Sequence, residues 1–114
     1  MNRRRILIID DELDLCLLLK NYFVKKGFDV CISHTITEGL DLAKTWDPDD
    51  VFLDHNLPDG TGWENAPQIY RDNDNNVRFF LISAYNPAAP EMPEEAEVVK
   101  IVKPISYRQL DPYF

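Results

Sequence analysis

The sequence predicts an α/β domain: a single doubly wound, five-stranded parallel sheet joined by helical crossovers. Three observations predict it. Short apolar runs alternate with helical patterns along the whole chain. The runs at residues 6–9, 51–53 and 79–82 are continuous rather than alternating, as expected of strands covered on both faces. Each of these runs stops at a polar residue: Asp10, Asp54 and Ser83. Right-handed crossovers restrict the strand orders available, and periodicity alone leaves the order open.

The elements follow in turn. Residues 6–9 (Ile-Leu-Ile-Ile) form the first strand. Residues 13–26 read as a helix, with Leu13, Cys16, Leu17, Tyr22 and Phe23 near helical spacing. Gly27 ends that helix as a C-cap. Residues 28–32 are the second strand. Thr35-Ile36-Thr37-Glu38 has capping-box form and opens a helix carrying Ile36, Leu40, Ala43 and Trp46. The turn Asp47-Pro48-Asp49-Asp50 leads into the third strand at 51–53, and its acids read as a solvated loop. Leu57-Pro58-Asp59-Gly60-Thr61-Gly62 is a loop by its breakers. A third helix is expected over about 63–72. Pro67 lacks a backbone donor, so that helix starts late or bends.

After the fourth strand at 77–82 the rhythm breaks. Pro87, Pro90 and Pro93 fall where a fourth helix belongs. Each interior proline costs a helix about 3 kcal/mol. This segment is expected to be extended, with at most one turn near residues 94–96, so the fourth helix is missing or reduced. Residues 97–102 are the fifth strand. Residues 106–114 form a short closing helix limited by Pro112.

Composition narrows the function. A chain of 114 residues suits one domain, here residues 1–114, and buries roughly two-thirds of its unfolded surface without staples. A net charge of −8 argues against nucleic-acid binding, which needs a basic footprint. Cys16 and Cys31 make no disulfide framework and read as small buried apolar residues. The apolar run after the basic start lasts only four residues, too short for a signal peptide or a membrane span. A cytoplasmic protein without membrane contact is expected.

The chemistry gathers at one edge. In a parallel sheet the strand C-terminal ends meet where ligands bind. Asp10, Asp11, Asp54, Ser83 and Lys103 all stand at such ends. A carboxylate such as Asp54 can accept a phosphoryl group as an acyl phosphate if the charge is neutralised. Mg²⁺ prefers one or two carboxylates with waters and phosphate oxygens. Asp10 and Asp11 can supply carboxylate oxygens, and Asn56 a backbone carbonyl. Lys103 supplies a fixed positive charge and Ser83 a hydroxyl donor. His55, next to Asp54, should point to the opposite face. His34 reads as a loop residue. Trp46 and Trp63 read as core anchors.

The segments Ile6-Leu7-Ile8-Ile9-Asp10-Asp11-Glu12, Leu53-Asp54-His55-Asn56-Leu57-Pro58-Asp59-Gly60, Leu81-Ile82-Ser83-Ala84 and Val102-Lys103-Pro104 resemble the response regulator receiver domain. The resemblance runs from Arg5 to about Leu110. It implies the flavodoxin-like strand order 2-1-3-4-5. It implies that Asp54 accepts a phosphoryl group from a histidine of a sensor histidine kinase or a histidine phosphotransfer protein. Asp11 then matches the direct Mg²⁺ carboxylate, Asp10 its companion acting through metal-bound water, and Asn56 the carbonyl ligand. Ser83 matches the switch hydroxyl and Lys103 the phosphate-pairing lysine. Such a domain catalyses its own phosphorylation and dephosphorylation but turns over no external substrate, and changes partner binding when phosphorylated.

Two departures stand out. The family's switch aromatic, three residues before the lysine, is Lys100 here, expected to be solvated. The proline stretch rebuilds the surface most used for output, so a monomer is expected in the unphosphorylated state. The positions that tune phosphoryl lifetime in the family correspond to Asn56 and Tyr85; Tyr85 is bulky enough to shield an acyl phosphate. Two other readings stay open: a phosphorylation-independent interaction module on the same fold, and a Mg²⁺-dependent phosphatase with an aspartyl nucleophile. The chain fits a single-domain regulator or the front of a longer protein.

Overall fold

The computed structural model describes residues 3–114. Its main strands are β1 (Arg5–Ile9), β2 (Asp29–Ser33), β3 (Asp50–Asp54), β4 (Arg78–Ser83) and β5 (Val98–Val102). All four neighbouring pairs are parallel, and the order across the sheet is β2-β1-β3-β4-β5. The helices are α1 (Leu13–Lys25), α2 (Ile36–Thr45), α3 (Ala66–Asp72) and the short α4 (Tyr107–Leu110). A small hairpin pairs Asn56 with Thr61 and Leu57 with Gly60 just past β3.

The period-2 pleat splits each central strand between two cores. Ile6, Ile8, Phe52, Phe80 and Ile82 face α1 and the C-terminal residues. Leu7, Ile9, Val51, Leu53, Phe79 and Leu81 face α2 and α3. Helices therefore cover both faces, which is why these strands are apolar without alternation. Phe52 and Phe80 stack at 4.5 Å, and Phe114 closes over this layer, 4.7 Å from Phe23 and 5.3 Å from Phe80 between ring centres.

Most local signals act as expected. Gly27 takes φ 85°, where the absence of a Cβ removes the steric cost, and its N–H meets the Val24 carbonyl. Thr35 caps α2 by accepting from the Glu38 N–H. Pro67 sits in the first turn of α3, after a 3-10 turn at Gly62–Asn65, so its missing donor costs no hydrogen bond. No regular helix follows β4; residues 84–97 run irregularly, with one turn closed by the Ala96 N–H on the Pro93 carbonyl. Ser106 and Gln109 form a capping box that starts α4, and Pro112 turns the chain into a final 3-10 turn at Asp111–Tyr113.

Two expectations are corrected. Leu13 and Leu17 are 64 % and 57 % exposed; the buried face of α1 is Leu15, Cys16, Leu19, Tyr22 and Phe23. Two apolar faces exist on this helix, and the spacing alone does not say which meets the sheet. Cys31 is only half-buried, because β2 is an edge strand. Among the described residues, no helix is long and apolar enough to cross a membrane.

Candidate functional site: an acidic pocket at the sheet's C-terminal edge

Asp10 follows β1 directly and Asp54 ends β3, and both are buried. Asp10 is held at three points. Its N–H donates to the Ser33 carbonyl, its carboxylate accepts from the Glu12 N–H at 2.8 Å, and its carbonyl meets the His34 ring nitrogen Nδ1 at 2.8 Å. Asp11 is exposed beside them. One carboxylate oxygen from each of Asp10, Asp11 and Asp54 can be chosen so that all three lie within 4.8 Å of one another.

Lys103 enters from the end of β5, fixed by its N–H on the Ser83 carbonyl. Its ammonium lies 3.1 Å from Asp10 Oδ2, 3.4 Å from Asp54 Oδ1 and 3.9 Å from Glu12. One cation thus faces several carboxylates. Burial, then the neighbouring Asp10 charge, pushes the Asp54 carboxyl up to about 6 against the opposing pull of Lys103. Burial likewise raises Asp10. Burial alone would lower the Lys103 ammonium, but Asp10 and Asp54 outweigh it and the net shift is upward.

The opposite end of the same strand shows the contrast. Asp50, also fully buried, begins β3 under two guanidinium groups, Arg4 at 2.6 Å and Arg78 at 2.8 Å. Read in sequence as part of a solvated acidic loop, Asp50 is instead a buried strand residue fully matched within the chain, because Arg4, just before β1, and Arg78, in β4, reach it from the neighbouring strands. The acids at the C-terminal edge are not, and Asp10 Oδ2 is buried without a hydrogen bond of good geometry. A hard, oxygen-seeking divalent cation suits that donor set. Asp10, Asp11 and Asp54 therefore fit Mg²⁺.

Ser83, buried at the end of β4, accepts from the Tyr85 N–H at 3.2 Å. Asn56 starts the hairpin beyond Asp54 and is exposed. His55 turns away from the acids, as expected: its ring stands edge-on to Trp63, and Tyr85 Oη lies 3.3 Å from its Nδ1. Tyr85 is 51 % exposed and leans on His55. Lys100 is exposed, as expected, yet it is engaged: its ammonium donates to the Pro87 carbonyl at 2.8 Å and lies 5.8 Å from the centre of the Trp63 ring.

The roles of several residues at the site were not read from sequence. Trp63 does more than fill the core. Its indole N–H faces the Leu53 and Ile82 carbonyls at 3.0 and 3.2 Å, the peptide groups just before Asp54 and Ser83. A Cβ at Gly62 would overlap the Asp54 carbonyl oxygen and sit 2.9 Å from Leu57 Cδ1, so the backbone passes there only as glycine. Asp59 accepts from the Ile36 and Thr37 N–H groups at 2.8 and 3.0 Å, tying the loop after Asp54 to the start of α2; these bonds lower its pKa. The Pro58-Asp59-Gly60 turn was visible in sequence, but its distant partners were not.

An apolar strip leads away from the pocket rim. Leu13 and Leu17 lie on one exposed face of α1. A cleft of about 200 Å³ on the same helix is lined by Glu12, Asp14, Leu15, Leu18, Lys103, Pro104 and Ile105.

Residues 6–112 match the response regulator receiver domain family. The chain belongs to that family. It is 31% identical over 85 residues to sporulation initiation phosphotransferase F of Bacillus subtilis, covering 75% of this chain and 68% of that protein. It is 35% identical over 60 residues to the cell cycle response regulator CtrA of Brucella ovis, covering 53% of this chain but only 26% of that longer relative. Among solved structures it resembles a receiver domain from Methylobacillus flagellatus (TM-score 0.83, 26% identity, 97% of this chain and 95% of that one). It also shares its fold with TrrA of Thermotoga maritima, solved in complex with Mg²⁺ and BeF (TM-score 0.77, 24% identity, 96% and 94%).

Proposed function

We propose that this chain, as a single receiver domain over residues 1–114, accepts a phosphoryl group from a phosphohistidine onto Asp54. The donor is a sensor histidine kinase or a histidine phosphotransfer protein. One observation carries the reading: the buried carboxylates of Asp10 and Asp54, with Asp11 beside them, share a single ammonium. Such a site is short of positive charge until a cation arrives. Asp10, Asp11, Asp54 and the Asn56 carbonyl would hold Mg²⁺, which when bound offsets the charge of Asp54 and of the incoming phosphoryl group.

The chain's own groups divide the work. Asp54, ionised, directs a carboxylate oxygen at phosphorus. The new O–P bond forms as the donor N–P bond breaks, and the imidazole leaves with the bonding pair. Lys103 stands within reach of Asp54 to pair with the phosphoryl oxygens. Ser83 offers its hydroxyl to another. Hydrolysis unloads the domain: water attacks phosphorus, its protons pass to the released phosphate and solvent, and Asp54 departs as carboxylate. The donor protein docks over Leu13, Leu17 and Leu18, exposed apolar residues of the helix that follows Asp10 and Asp11.

Treatment with acetyl phosphate and Mg²⁺ tests this. The intact mass should rise by one phosphoryl group, and Asp54→Ala should abolish the gain. Absence of any gain, with a cognate protein donor failing too, would leave the phosphorylation-independent interaction module. The irregular segment in place of a fourth helix is the observation favouring that second reading.

A further inference from the structure

Residues 84–97 have little backbone pairing of their own. Their attachment to the pocket runs through side chains gathered on the Trp63 ring. His55 stands edge-on to that ring at 5.0 Å, with its Nδ1 3.3 Å from the Tyr85 hydroxyl. Lys100 also lies over the ring and donates to the Pro87 carbonyl. The ring itself is tied to the peptides preceding Asp54 and Ser83. Further along, Met92 and Ala96 pack on the core below.

We propose that Lys100 is a positioning residue, a fastener that couples the proline segment to the state of Asp54 through Ser83 and Trp63. The inference rests on the phosphoacceptor reading above. The Ser83 Oγ now accepts from the Tyr85 N–H. Turning that hydroxyl toward a phosphoryl oxygen on Asp54 gives up this bond, and Tyr85 with its His55 contact must readjust. Proline carries no amide hydrogen, so Pro87 and Pro90 add no backbone donors to hold the segment. The Lys100 ammonium on the Pro87 carbonyl then decides whether the readjustment stays local or travels toward Met92. A lysine can serve here because its stem spans from β5 to the segment while its charge rests on the indole face. No buried aromatic rotamer is needed.

Amide hydrogen exchange at Tyr85, Asn86, Ala88, Ala89, Glu91 and Met92 tests the idea, with and without Mg²⁺ plus beryllofluoride. In the wild type the probe should change protection across these amides. In Lys100→Met, which keeps the stem and loses the donor, Ala88 to Met92 should exchange faster before the probe is added and respond little to it. Lys100→Arg should restore the response. Both variants should still gain a phosphoryl group at Asp54 from acetyl phosphate. Normal loading with a wild-type exchange response in Lys100→Met would overturn the fastener. So would a wild-type segment that ignores the probe while Asp54 loads normally. Failure of the wild type to load from acetyl phosphate or a protein donor would instead overturn the phosphoacceptor reading, and the fastener's role with it.

Discussion

The Lys103 ammonium reaches Asp54 from across the sheet, 3.4 Å from its carboxylate, while also pairing with Asp10. β4 lies between the strands that carry them, so the contact exists only once the sheet is assembled. Removing one partner of a buried ion pair leaves uncompensated charge behind. Lys103→Met should therefore lose most phosphoryl uptake at Asp54. It should also destabilise the fold by about 1–3 kcal/mol at pH 7 in denaturant titrations. At pH 5 the penalty should be smaller, because Asp54 is then largely neutral.

Asp54 itself is costly to the fold when charged. Its carboxyl rises from 3.8 to about 6 through burial and the Asp10 charge. The folded state thus binds the proton more tightly than the unfolded chain, and stability falls as pH rises through that window. At about 1.36 kcal/mol per pKa unit, Asp54→Asn should gain up to about 3 kcal/mol at neutral pH without divalent cations. Little gain should remain below pH 4. Denaturant titrations of both proteins across pH check this, and a gap that stays constant with pH would contradict it.

Mg²⁺ should relieve the same crowding. At about ten times its Kd the ion should add about 1.4 kcal/mol to the stability of the wild type. Asp11→Asn should blunt the gain, and EDTA should abolish it. Thermal melts with and without the ion give the measurement.

Gly62 touches the pocket through backbone alone. Gly62→Ala places a methyl group against the Asp54 carbonyl and Leu57. The expected cost is about 1–3 kcal/mol of stability, as for other overpacked sites. Phosphoryl loading should slow as well, because Asp54 is pushed from its place opposite Lys103. Loading from acetyl phosphate, followed by intact mass, is the check.

The strip on α1 can be separated from the chemistry. Leu17→Asp should weaken phosphoryl transfer from a cognate protein donor about tenfold, the effect of losing about 1.4 kcal/mol of contact. Loading from acetyl phosphate should be unchanged, since Leu17 lies outside the pocket. Equal losses with both donors would remove this face as the docking surface.

The central strands were readable because burial on both faces leaves an unbroken apolar run, and the polar stop at each end marks the pocket. Asp10, Asp54, Ser83 and Lys103 were legible for that reason. Long-range partners were not. Lys100 is exposed as read, but nothing in the order of residues tells that the Pro87 carbonyl lies within its reach. Leu13 and Leu17 fitted the helix period as well as the true core face did. Gly62 read as a loop breaker, and only the approach of the Asp54 carbonyl explains why that position excludes a side chain.

Trp63 gives the molecule a built-in optical reporter. Its indole touches the peptides leading into both Asp54 and Ser83 and carries His55 and Lys100 on its flanks. Emission from this ring should respond to events in the pocket without any attached dye. The other tryptophan, Trp46, sits after α2 beneath Arg5, and replacing it by phenylalanine would isolate the signal.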